Sequence, residues 1–177
     1  FRETTIAMDD VEARYGDIEA QGGGSLDYTD GYDLAATVES FSLEQLANTF
    51  DFELPIPSEG LFSATVDMQG RLARPEITGT LEALGNTVID RVTLADLNLD
   101  FSFVDSRLVF DRFSLFPQAG GSLIGQGTFS LGESPSLFLQ AEGRDLPANA
   151  IGRAYGLPET ITLGNVAVDA EVSGPLN

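Results

Sequence analysis

The chain has 177 residues, with 28 Asp+Glu against 9 Lys+Arg, and no His, Cys or Trp. A formal net charge of −19 excludes the clustered basic surface that nucleic-acid phosphates need, and anionic lipid headgroups are repelled for the same reason. Without His or Cys there are no usual zinc ligands, no haem His and no triad with a His base, so neither a cofactor nor an enzymatic activity is expected.

A hydrophobic content of 42%, with 12 Phe and 19 Gly, places the chain among folded proteins rather than acidic disordered tails. A cysteine-free chain fits an oxidising compartment. The sequence shows no basic segment leading into an apolar stretch and no apolar run long enough to span a bilayer. It opens on Phe1 and stops inside a continuing pattern, so it reads as a piece of a longer protein whose anchor would lie elsewhere.

In chain order, Asp30-Gly31 is a two-residue hairpin signal. It precedes Tyr32, Leu34, Ala36 and Val38, which share one face of a strand. Ser42 then offers an N-cap with Gln45 at capping-box spacing. Leu43, Leu46, Ala47 and Phe50 fall on one stripe of a helix over 42–50. Alternation returns at Phe62-Ala64-Val66-Met68, Ile77-Gly79-Leu81-Ala83 and Leu97-Leu99-Phe101-Phe103. Val104-Asp105-Ser106-Arg107 interrupts one strand pair, and Gly132-Glu133-Ser134-Pro135 another ahead of Leu137, Leu139 and Ala141. Asp145 reads as the N-cap of a second helix over 148–155, with Pro147 in its first turn. Val166-Val168-Ala170-Val172 closes the series.

Period 2 means strands with one apolar and one polar face. Asp and Glu sit mostly on the polar face, so the excess charge is a solvated outer surface. Long helical crossovers are missing, which excludes parallel units. The chain is expected to be all-β and mostly antiparallel, with two short helices. Gly24 and Gly127 are 103 residues apart, as are Glu39 and Glu142, Leu43 and Leu146, and Pro55 and Pro158. Past one inserted residue the offset is 104, matching Gly60 with Gly164, Gly70 with Gly174 and Leu72 with Leu176. Residues 24–72 thus match 127–176, and 1–177 reads as one continuous segment holding fewer than two copies of a β-plus-helix unit. Repetition of this kind points to a quasi-one-dimensional stack.

The order of these elements, with GLFSATVDMQGRLARPEITGTL from Gly60 to Leu81 and a second copy starting GNVAVDAEVSGPLN at Gly164, resembles the C-terminal region of TamB-like proteins, relatives of the AsmA-like family. The segment from Asp145 through Ala150-Ile151 to Tyr155-Gly156 is most similar to cyanobacterial and chloroplast-envelope members. The resemblance implies a single elongated, curled and incompletely closed sheet, a β-taco with a U-shaped hydrophobic groove. It implies a periplasmic or plastid intermembrane-space protein, anchored in the inner membrane and working with an Omp85-type outer-membrane barrel. The implied cargo is phospholipid acyl chains or unfolded outer-membrane and translocating protein clients.

Groove-lining candidates follow from the alternation. They are Phe62, Val66 and Met68; Leu97, Leu99, Phe101 and Phe103; Phe110 and Phe129; Leu137 and Leu139; and Val166, Val168 and Val172. The bland reading of the Phe101, Phe103, Phe110, Phe113 and Phe116 cluster is ordinary core. Asp27, Asp30 and Asp33 lack the spacing of a calcium loop and read as a hairpin turn. Gly22-Gly23-Gly24 and Gly120 to Gly127 do not open helices, so they read as kinks that let a sheet coil and not as phosphate cradles. The two helices read as caps at the groove edge or mouth. The competing function is a structural sandwich or solenoid stalk, or an adhesin domain, whose apolar faces bury each other. Twelve to fourteen strands at about 4.8 Å spacing predict a sheet on the order of 60 Å long.

Overall fold

The computed structural model describes residues 5–27, 31–51, 54, 56–71, 74–130 and 135–175. The turns expected at Asp30-Gly31 and Gly132 to Pro135 lie partly outside these residues, as do Pro55, Leu72 and Leu176. The strands are β1 (Thr5–Tyr15), β2 (Ile18–Asp27), β3 (Gly31–Phe41), β4 (Ser58–Glu59), β5 (Phe62–Arg71), β6 (Arg74–Ala83), β7 (Thr87–Ile89), β8 (Val92–Val104), β9 (Arg107–Pro117), β10 (Ser122–Ser130), β11 (Ser136–Pro147) and β12 (Asn165–Pro175). Helix α1 (Leu43–Phe50) follows β3, and α2 (Ala148–Ala154) follows β11.

All 12 strands belong to one antiparallel sheet, curled but not closed. Its main row runs β1-β2-β3-β5-β6-β8-β9-β10-β11-β12, while short β4 and β7 pair to the side. Nine gaps of about 4.8 Å give a row of about 43 Å, shorter than the sequence predicts because β4 and β7 do not extend it. Between β8 and β9 the turn has Asp105 at φ 49° and Ser106 at φ 60°, the pair of left-handed residues of a type I′ hairpin.

Curling comes from bulges, each of which bends a strand and increases its twist. Asp9-Asp10 of β1 oppose Gly23, and Asp111-Arg112 of β9 oppose Gln126. Glu39-Ser40 of β3 oppose Ser63, and Arg144-Asp145 of β11 oppose Ala167. Asp145 therefore sits at φ 50° inside a strand bulge and is not the N-cap expected for the second helix. That position falls to Pro147, which makes no side-chain cap hydrogen bond. The first helix matches its signal: the Ser42 N–H donates to Gln45 Oε1 at 2.8 Å, and the Gln45 N–H donates to Ser42 Oγ at 3.1 Å.

Six antiparallel steps separate β3 from β11, so the two strands point the same way and both helices lie at one end of the sheet. Helix α1 seals its part of that end. Leu43 and Leu46 pack on a buried cluster of Phe41, Phe62, Ala64, Leu94 and Leu97. The Phe41 and Phe62 rings lie 6.2 Å apart at 41°, a tilted arrangement that aromatic quadrupoles favour. Away from this cluster the sheet is thin. Total accessible surface is 11883 Å², whereas a compact monomer of this mass exposes about 8,300 Å².

Aromatic rings lie across glycines on the neighbouring strand. Gly79 of β6 is paired with Phe101 of β8, and a Cβ there would sit 2.7 Å from Phe101 Cζ and 2.6 Å from Thr65 O. The same relation holds between Gly125 and Phe113. Gly79→Val should lower stability by about 2 kcal/mol through overpacking, measured as a lower urea midpoint. An unchanged midpoint would show that the ring does not rest on the glycine.

Candidate functional site

The ladders chain the groove-lining candidates onto one face. Met68 pairs with Ile77, Ile77 with Phe103, Phe103 with Leu108, Leu108 with Phe129, and Phe129 with Leu137. A second row links Val66, Gly79, Phe101, Phe110, Gly127, Leu139 and Val172. Toward the helix end Phe62, Leu99 and Leu97 join it, and Val168 and Val166 extend it onto β12. All fourteen therefore share a face, which continues over Leu34, Leu26 and Ile6 to β1. The one exception in the Phe cluster is Phe116. Paired with Asp96 next to inward Leu115, it lies on the opposite face and is 37% exposed.

Coverage of this face grades along the row. Phe62 is fully buried, Phe101, Phe103 and Phe110 are half-buried, and Val172 is 56% exposed. The strands make substantial contacts only with their ladder neighbours, so among the described residues no second sheet lies over the face. Phe101, Phe103 and Phe110 are thus neither sealed core nor isolated surface groups.

The helix end differs under α2. Here a cavity of about 510 Å³ remains between the sheet and the helix. Its floor is Leu94, Leu115, Leu123 and Leu146; Ile56 and Ile89 wall one side, and Ile151 and Tyr155 the other. The wall segment is fixed by the Asp90 N–H, which donates to Pro57 O at 2.7 Å. Across the opening, the Tyr155 hydroxyl donates to Asp90 Oδ2 at 2.6 Å. The Arg91 guanidinium stands 5.7 Å from the Tyr155 ring centroid, within cation–π range. Helix α2 itself has no buried residue. Nothing in the alternation pattern signals this cavity, because it depends on which side chains α2 fails to supply.

The polar face carries the charge. Arg144 Nη2 lies 2.7 Å from Glu142 Oε1, and that hydrogen bond, with the attraction of the guanidinium, holds the Glu142 carboxyl below its usual range. Both groups are solvent-screened, so the pair adds little stability. Among the described residues no three His, Cys, Asp or Glu are placed to hold a metal ion. No described helix is long and apolar enough to cross a membrane. No family model, curated protein or solved structure matches the chain.

The hydrogen bond to Asp90, then burial and the Asp90 charge, raise the Tyr155 phenol above its ordinary value. A raised folded-state value means the latch contributes below about pH 10 and is lost as pH climbs through the folded-state value. Ultraviolet titration should find Tyr155 ionising late, and Asp90→Asn should move that step back toward 10. A step at 10 in the parent protein would show that the latch does not persist in solution.

Proposed function

We propose that the chain is a groove segment of an envelope-spanning protein, anchored in the inner membrane, that carries lipid acyl chains between two membranes toward an Omp85-type outer-membrane barrel. The periplasmic or plastid intermembrane-space location, the anchor and the barrel come from the TamB-like resemblance. The carrier role rests on one observation: ten strands present a continuous apolar face with no second layer over it among the described residues. An apolar surface of that extent is unusual for a monomer and marks a binding surface.

Acyl chains suit the face better than the other cargo the resemblance implies. A peptide strand laid on the flat of a sheet cannot hydrogen-bond to it, because the ladder groups of the sheet are already paired along its plane. Its own amides would be left dry at a cost of several kcal/mol. A hydrocarbon chain has no such groups. The stalk reading needs a second apolar layer, and among the described residues the single sheet supplies none.

Phe101→Asp places a carboxylate in the half-buried middle of the face. Its carboxylate can reach water, so the protein should fold with a loss of about 1–2 kcal/mol. Uptake of a fluorescent phospholipid by delipidated protein should weaken about tenfold, equivalent to about 1.4 kcal/mol. Asp100→Asn on the exposed opposite face should leave both unchanged within about 0.5 kcal/mol. Outright unfolding of Phe101→Asp would mark a sealed core, and normal uptake by it would assign the cargo to another surface.

A further inference from the structure

The two helices occupy equivalent places, each linking adjacent paired strands at the same end of the sheet. They do different things there. Helix α1 lowers Leu43, Leu46 and buried Ala47 onto the sheet and fills the space below it. Helix α2, AlaAsnAlaIleGlyArgAla, carries one large apolar residue, Ile151, and leaves about 510 Å³ open. That volume lies within the roughly 300–1,000 Å³ of small-ligand sites. The floor and walls are aliphatic; Asp90 and Tyr155 of the lining are hydrogen-bonded to each other, and the Arg91 cation stands outside the lining, 5.7 Å from the Tyr155 ring centroid.

We propose that the cavity under α2 is a discrete site for one linear acyl chain of a single-chain amphiphile, whose anionic head stays at the rim beside Arg91. Building on the carrier reading above, this assigns one bounded seat on a face that is otherwise open. The lining offers no hydrogen-bonding group except at the rim, which suits a hydrocarbon tail with one polar end. The Tyr155–Asp90 latch joins α2 to the β7–β8 turn, two segments on opposite sides of the opening. The tail enters or leaves when that latch opens.

Length dependence separates a bounded cavity from an open groove. Each methylene buried strengthens binding about fourfold, and the gain stops once the chain fills the space. Delipidated protein titrated with saturated fatty acids from octanoate to stearate should show affinity that rises in this way and then levels off. Leu123→Trp and Ile151→Trp put bulk into the cavity and supply the sole Trp of the chain, which has none. Both should move the plateau to shorter chains, weaken stearate at least tenfold, and show Trp emission that responds to ligand. Ile151 lies on a helix without buried residues, so its variant keeps the test sound if Leu123→Trp fails to fold. Asp100→Asn, on the exposed opposite face and outside the lining, should bind the fatty acids as the parent does. Should affinity climb without a plateau and both Trp variants bind like the parent, the cavity site is overturned while the open-face carrier stands. Binding of none of the series, with phospholipid uptake intact, overturns the cavity site alone; loss of both overturns both.

Discussion

A sheet one layer thick has two faces and can bury only the one it curls around. Everything in this protein follows from that constraint. Alternation gives every long strand an apolar side, antiparallel pairing sets those sides together, and nothing in the described chain supplies a second sheet to cover them. Ordinary domains resolve the problem by packing two layers around a core. Here true burial is confined to the helix end, around Phe41, Phe62, Leu94 and Leu97, and the surface left in water exceeds that of a compact chain by about 3,500 Å².

A flat sheet would expose the whole apolar face, so the curl matters energetically. Its devices recur along the chain. The bulge at Asp9-Asp10 has its counterpart at Asp111-Arg112, and the one at Glu39-Ser40 at Arg144-Asp145, each two residues against one. Left-handed Asp10 and Asp145 take a conformation that short polar side chains tolerate. Glycines paired with Phe101 and Phe113 let rings lie along the sheet instead of standing off it. Together they narrow the groove while leaving it open.

Much of this was legible in the sequence. A period of two fixes which residues share a face, and all fourteen lining candidates obeyed it because ladder register carries the alternation from strand to strand. Ser42 and Gln45 announced α1 because a capping box is local chemistry. What escaped is non-local or conflicted. Asp145 looked like a cap because Pro147 and a helix follow it, yet pairing with β12 drew it into a strand. Phe116 was placed with its neighbours because a bulge two turns of the pleat away shifts the face without changing composition. The cavity under α2 was invisible, being set by the volume its small residues do not fill.

The charge of −19 poses a last physical question, since like charges opposed across strands are destabilising. Most registers avoid it, with Arg71 opposite Arg74 and Glu142 opposite Asp169 as exceptions. Asp67 pairs with Ala35 and Thr78, Glu76 with Gln69, Glu82 with Ser63 and Asn98, and Asp100 with Thr80 and Arg112. Thr5 Oγ1 donates to Asp27 Oδ2 at 2.6 Å, and Gln140 Nε2 donates to Glu171 Oε2 at 3.1 Å. The like-charged pair Glu142 and Asp169 is relieved by Arg144, which hydrogen-bonds the first and is drawn to the second. A strongly anionic outer face can therefore be tolerated by the fold, and it has a consequence for a carrier. Anionic bilayer surfaces repel such a face, so the carrier proposed above would take up hydrocarbon through its apolar face and not by laying the sheet down on a membrane.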